Sequence, residues 1–141
     1  MNAGFFKTII GTLIVIHAPF NVGAQSIHGE IADEIRREEL ARNMGCAATI
    51  LAVNDSSSLS AHIAVAHSIK AAEAKVNIGQ GAISLVVPTQ EQIDEVLSVV
   101  ISSATVKSQI LELENAAGLQ ATEQDMLEEQ THCLLRLLEN N

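Results

Sequence analysis

Two cysteines, Cys46 and Cys133, are the side chains of this sequence with the best-defined chemistry. The N-terminus indicates export, and in an oxidising compartment a pair of thiols is usually joined. Two cysteines allow one internal pairing, so we expect a Cys46–Cys133 disulfide that ties an early helix to the last one. The alternative is two buried, unpaired thiols that pack as small hydrophobic groups.

Glu129 and His132 have the Glu-x-x-His spacing of di-iron helical bundles. Such a centre needs a second copy of the motif and further carboxylates on facing helices, and the sequence contains no second copy. Both residues also fall on the polar side of a helix whose apolar side is set by Met126, Cys133 and Leu137. We therefore expect two solvated side chains and no metal site.

His62 and His67 are separated by five positions, which places them about 140° apart on a helix. Two histidines that share a metal ion on a helix are expected four positions apart. His62 falls within the apolar arc, which favours a core histidine bonded to a carbonyl group. The alternative for His62 is a buried pH-sensitive switch. His28 is expected to be exposed.

Haem, nucleotide and catalytic motifs are absent. The Cys-x-x-Cys-His attachment of c-type haem does not occur, and core packing by Met44 and Met126 is commoner than axial ligation with His62. No Gly-x-Ser-x-Gly motif frames the serines of residues 56–60, and Gly-Gln-Gly at residues 79–81 lacks the Lys-Ser/Thr of a phosphate loop. The sequence predicts no catalytic residue, no metal and no cofactor, so we do not expect an enzyme.

The first 24 residues have the order of a secretory signal peptide. Lys7 gives a short basic start, residues 8–16 are apolar, and Ala24 follows small residues that a signal peptidase reads. We predict a signal peptide at 1–24 and one domain at 25–141, exported to the periplasm or secreted and free of the membrane after cleavage. The alternative, an uncleaved anchor, would be short and interrupted by Lys7 and a proline.

Charge and aromatic content exclude further classes of function. The net charge of −9 disfavours nucleic acid and anionic membranes, because both require clustered basic side chains. All three aromatic residues, Phe5, Phe6 and Phe20, lie in the predicted signal. The predicted mature domain therefore has no ring on which a base, a sugar or a cation could stack.

Hydrophobic periodicity predicts helices along the rest of the chain. Ile27, Ile31 and Ile35 form one stripe, and a second follows between Leu40 and Leu51. Residues 27–53 are therefore one helix with two contact faces or two shorter helices. Residues 59–76 form a further helix, which glycines at 79 and 81 end.

The second half of the sequence predicts two more helices. Residues 82–87 are an extended stretch or a buried helix fragment. Thr89 and Gln92 form a capping box at the next helix, and Thr122 caps the last. The inward side chains expected on these two helices are Ile93, Val96, Leu97, Val100, Ile101 and Ala104, then Met126, Leu127, Cys133, Leu134, Leu137 and Leu138. The fold expected is all-α, a small antiparallel bundle of four or five helices.

Elimination favours an exported, disulfide-bonded helical interaction module that binds an unidentified protein partner. The order of a signal, Cys46 within NMGCA and Cys133 within HCLL resembles small periplasmic immunity proteins that neutralise secreted amidase effectors. The two cysteines and the length carry this resemblance, and the aromatic residues expected around them are missing. It implies an inhibitor or immunity-type protein. The alternative is a helical carrier of a small molecule or a metal.

Intact-mass measurement of the protein recovered from the exporting cell tests the predicted signal. We expect a species that begins at Gln25, because the small residues before it suit signal peptidase, or at Ser26 if cleavage follows Gln25. A species that retains Met1 would contradict cleavage and favour an anchor.

Overall fold

The computed structural model describes residues 18–53 and 58–139. Most of the predicted signal peptide and the turn at 54–57 therefore lie outside the described residues. The described part is all-α and has four helices: α1 (Ala18–Val53), α2 (Ser58–Asn77), α3 (Gln90–Ala116) and α4 (Ala121–Glu139). The predicted all-α class is confirmed.

α1 is one continuous helix across residues 27–53, which decides between the two arrangements that the sequence left open. Pro19 lies in the first described turn of α1, and first-turn N–H groups have no partner within a helix, so proline is tolerated there. The helix begins before Ala24, and cleavage after that residue stays a prediction.

α2 ends where the sequence indicates. Gly79 and Gly81 follow it with φ angles of 83° and 95°, which residues with a side chain rarely adopt. Residues 84–89 then form neither helix nor turn, and Ile83 and Leu85 are almost fully exposed. The buried helix fragment considered for residues 82–87 is therefore wrong.

α3 begins with the predicted capping box. The Gln92 N–H donates to Thr89 Oγ1 at 3.2 Å, and the Thr89 N–H donates to Gln92 Oε1 at 2.8 Å. At the start of α4 the prediction is wrong, because Thr122 lies inside the helix and not at its cap. Its hydroxyl and N–H donate to the Glu114 carboxylate, which joins the start of α4 to the end of α3.

The core is built mostly from small side chains. α1, α2 and α3 meet through one buried cluster, whose members are Ala47, Ala48, Ala64, Ala71, Ala72, Val96, Val100 and Ala104. Alanine at these positions lets the helices approach closely. A second cluster of Cys46, Ile50 and Cys133 joins α4 to α1.

Some predicted core residues are exposed. Ile101 on α3 is 52% exposed, and Leu127 and Leu138 on α4 also face solvent. Val96, Val100, Ala104, Met126 and Cys133 are buried as expected. The inward arc of each helix is narrower than its apolar arc, so apolar side chains at the edge of the stripe remain outside.

Cys46 and Cys133 lie at disulfide-bonding distance, with 5.6 Å between their Cα atoms, and they are 87 positions apart in the sequence. Both side chains are buried. A bond of this span restricts the unfolded chain strongly, because it closes most of the domain into one loop.

We expect the double variant C46S/C133S to lower the free energy of unfolding by about 2–5 kcal/mol, since the unfolded chain regains loop entropy. Denaturant titration of both proteins measures this difference. Thiol labelling of the unreduced, denatured wild type is the control. Two reactive thiols in the wild type would contradict the disulfide.

Candidate functional site

Among the side chains that the structure describes, His67 is a titratable group with no exposed surface. Its Nδ1 lies 2.8 Å from Asn43 Oδ1. The Asn43 amide nitrogen in turn donates to the Glu39 carbonyl at 2.9 Å and to Glu39 Oε1 at 3.2 Å. Because Asn43 Oδ1 can only accept, the proton of neutral His67 is on Nδ1. Nε2 is also buried, and no group among the described residues meets full hydrogen-bond geometry with it.

Burial lowers the pKa of His67 below its ordinary value of 6.5. The polar backbone of Cys133 favours the charged imidazole and so raises the pKa in part. The positive charges of Arg136 and Lys70 lower the pKa further. The imidazole is therefore neutral at physiological pH.

The sequence placed the wrong histidine in the core. His62, expected there, is exposed, while His67 is buried beside Ser68. The inward face of α2 consists of its smallest side chains, Ser60, Ala64 and Ala71, and His67 lies in this row. A search for small residues at helical spacing would have found it, whereas a search for large apolar residues pointed to His62.

Further buried polar groups lie on α1 and α2. Ser68 donates to the Ala64 carbonyl at 2.8 Å, and the Thr49 hydroxyl is buried without a partner in the described chain. Glu129 and His132 are both exposed. Within residues 18–53 and 58–139, no group of three or more histidine, cysteine or acidic side chains is placed to hold a metal ion.

A groove of about 610 Å³ lies between α1, α2 and the connection to α3. Its charged lining is Arg36, Glu39, Lys70 and Glu73, so both signs of charge face the same space. Asn43 also lines it, which connects the groove to His67 through one hydrogen bond. The arrangement suits a small ligand that carries both charges.

Arg36 and Asp33 attach the α2–α3 connection to α1. Arg36 Nη1 donates to the Asn77 carbonyl at 2.7 Å and pairs with Asp33 Oδ1 at 3.2 Å. The Gly79 N–H donates to the same Asp33 oxygen at 2.9 Å. This hydrogen bond from the Gly79 backbone is the main cause that lowers the pKa of Asp33 below its ordinary value. The hydrogen bond and positive charge of Arg36 lower it further.

The segment that follows is both exposed and fixed. We define the 83–87 segment as the five residues ISLVV before Pro88. Asn77 holds its backbone on one side, since Asn77 Nδ2 donates to the Val86 carbonyl at 2.8 Å and the Val86 N–H donates to Asn77 Oδ1 at 2.7 Å.

α3 carries a row of exposed apolar side chains, called here the outer α3 stripe: Val99, Val106, Ile110 and Leu113. These side chains are 42–72% exposed. With Ser103 they occupy positions that alternate by four and three, so they share one side of the helix. This surface was not apparent from the sequence, because the same helix has a second apolar row that fills the core.

Comparisons with protein families, with curated proteins and with solved structures find no match to this chain.

The buried histidine predicts an acid-sensitive fold. Because the pKa of His67 is lower in the folded state, the unfolded chain binds more protons as the pH falls below about 6.5. The free energy of unfolding should then decrease, by at most about 1.4 kcal/mol for each pH unit.

Urea titrations between about pH 7.5 and about pH 5.5 measure this slope. The variant H67Q should lose most of it, whereas the exposed-site control H62Q should keep it. A wild type with no slope over this range would contradict a neutral, buried His67.

Proposed function

We propose that this protein is an exported, disulfide-bonded helical module that binds a protein partner through the outer α3 stripe. The observation that carries the proposal is the row of four large apolar side chains left in solvent on one side of α3. Single exposed apolar residues are normal on protein surfaces, but four on one side of one helix, interrupted only by Ser103, favour a binding surface.

The spacing of the outer α3 stripe indicates what it binds. Apolar positions that alternate by three and four are the pattern by which one helix packs along another. The partner element that fits best is therefore an amphipathic helix, laid along α3 with its own apolar row facing the stripe.

The charge of α3 indicates the charge expected on the partner. The exposed charged residues of α3 are all acidic, namely Glu91, Asp94, Glu95 and Glu112, whereas Lys107 is half-buried. Of these, Glu95 pairs with Lys75 of α2 at 3.4 Å. A partner helix with net positive charge would complement the acidic surface of α3 and approach faster at low salt.

Membrane insertion of α3 is the competing interpretation. Of the helices described, α3 is long and apolar enough to cross a bilayer, with a mean hydropathy of 1.3 over its best 18 residues. However, Val96, Val100 and Ala104 pack into the core against α1 and α2. Insertion would break that cluster, so docking on the free side of α3 requires less rearrangement.

Export, the antiparallel order of the helices and an inhibitor or immunity-type role are parts of this proposal. A disulfide that joins α1 to α4 is typical of exported proteins. Short connections between consecutive helices favour antiparallel neighbours.

A second candidate function is a carrier of small molecules. The observation that favours it is the 610 Å³ groove with basic and acidic side chains on its walls. A zwitterion such as an amino acid has the charge pattern of this lining. Native mass spectrometry of the purified protein would detect a bound small mass and distinguish the two functions.

The variants V106E and I110E test the docking surface. Each places a charge in the outer α3 stripe at a solvent-exposed position, so the fold should keep its stability within about 0.5 kcal/mol. Affinity capture from an extract of the exporting compartment should retain a partner on the wild type, and both variants should lose it at least about tenfold.

Q109E is the matched control, because residue 109 is exposed on α3 outside the stripe. It should capture the same partner as the wild type. Equal capture by all four proteins would contradict docking on the stripe. Binding of the wild type to phospholipid vesicles, lost in V106E, would contradict a protein partner and favour insertion.

A further inference from the structure

The 83–87 segment projects its side chains alternately. Ile83, Leu85 and Val87 are 95%, 92% and 82% exposed, whereas Ser84 is half-buried and Val86 is 42% exposed. A period of two is the signature of an extended chain, in which successive side chains point to opposite sides. Leu85 and Val87 therefore project from one side of residues 84–87, which belong to no helix, turn or sheet, and Ile83 lies in the turn just before them.

The main chain of the segment has one free edge. Asn77 occupies both polar groups of Val86. In an extended chain, successive residues direct their N–H and C=O groups to opposite edges. The main-chain groups of Leu85 and Val87 thus point away from Asn77. Within the described chain they have no hydrogen-bond partner, which leaves them free to pair with another extended strand.

The segment is anchored at both ends. On the α2 side, Gly79 is bound to Asp33, and the Asn77 carbonyl accepts from Arg36. On the α3 side, Pro88 is buried and the Thr89 capping box follows at once. Ordering a flexible loop on binding lowers affinity, so a segment that is already held extended binds with less loss of entropy.

The disulfide adds a further constraint. Cys46 precedes the segment and Cys133 follows it, so the bond encloses residues 83–87. If the Leu85–Val86 peptide bond were hydrolysed, one water would be consumed, leaving a carboxylate on Leu85 and an amine on Val86. Both new ends would stay attached to one covalently closed domain, with Val86 still held by Asn77.

We propose that the 83–87 segment enters the substrate cleft of an endopeptidase that prefers aliphatic side chains, and that the protein inhibits this enzyme. Peptide-binding clefts take an extended chain by main-chain pairing and read alternate side chains in pockets. Leu85, central and almost fully exposed, fills the main specificity pocket, while Ile83 and Val87 fill the pockets on either side.

The inhibitor role follows from the anchors rather than from the side chains. A flexible substrate leaves after cleavage because its two new ends separate. Here both ends are held, so the cleaved chain stays in the cleft and the enzyme turns over slowly. The inference rests on the proposed function, since it requires a protein partner, but it uses a surface separate from the outer α3 stripe.

Pancreatic elastase and subtilisin, assayed with a chromogenic peptide, serve as aliphatic-specific probes. The unreduced wild type should inhibit both enzymes. L85D should weaken inhibition at least about tenfold, because a carboxylate cannot enter an apolar pocket. Residue 85 lies outside the core, so this variant keeps its fold, which circular dichroism verifies. V106E, altered in the outer α3 stripe, should inhibit like the wild type.

Electrophoresis before and after reduction adds a second measurement. Incubation with elastase should give one cut within residues 83–87, and the two fragments should separate only after reduction. N77A should be cut faster and should inhibit less, because the Val86 backbone loses both hydrogen bonds to the Asn77 side chain.

Several results would overturn the proposal. These are no inhibition of either enzyme at about 100 μM protein, equal inhibition by L85D, and rapid cleavage outside the segment. Loss of inhibition in L85D with unchanged partner capture would uphold this inference independently of the α3 stripe. Loss of capture in V106E with unchanged inhibition would uphold the docking function independently of the 83–87 segment.

Discussion

Close packing through alanine determines most of this structure. Helices α1 and α2 meet at Ala47, Ala48, Ala64, Ala71 and Ala72, and α3 adds only Val96, Val100 and Ala104. Small side chains allow close approach, but each buries little apolar area, so hydrophobic stabilisation per residue is modest. The buried side chains that join α4 to the bundle include the sulfur pair and Ile50, and a covalent bond compensates for a thin interface.

A thin core also leaves large apolar side chains without an interior to enter. Ile27, Ile31 and Ile35 on α1, the outer α3 stripe and the 83–87 segment are all exposed. Their distribution differs in kind: the two helical rows present a smooth surface, whereas the segment presents separate side chains on a fixed backbone. The outer α3 stripe therefore fits another helix and the 83–87 segment fits a cleft, which is why the two proposals assign these two surfaces different partners.

Local signals in the sequence predicted the helices well, because caps and glycines act over a few residues. Thr89 with Gln92 and the pair Gly79 and Gly81 lie where the pattern indicated. The pairing of Cys46 with Cys133 followed from the predicted export to an oxidising compartment and from there being two cysteines to pair. Burial was harder to predict, since the inward side of each helix was chosen as the side with the largest apolar residues. On α2 the smallest residues face inward, so His67 was missed. The projection of residues 83–87 depends on the Asn77 hydrogen bonds, which no pattern of residue types reveals.

Asn77 separates what fixes the backbone of the 83–87 segment from the side chains that the segment exposes. Its carbonyl is bound by α1, and its side chain holds the Val86 backbone without contacting any side chain of the segment through these bonds. A hold through main-chain atoms is indifferent to the identity of the residues held. Substitutions at residues 83 and 85 should therefore have little effect on the stability of the fold. Such a scaffold could acquire a new specificity through substitutions at two or three positions, and the same property makes it a suitable frame for grafting short extended peptides.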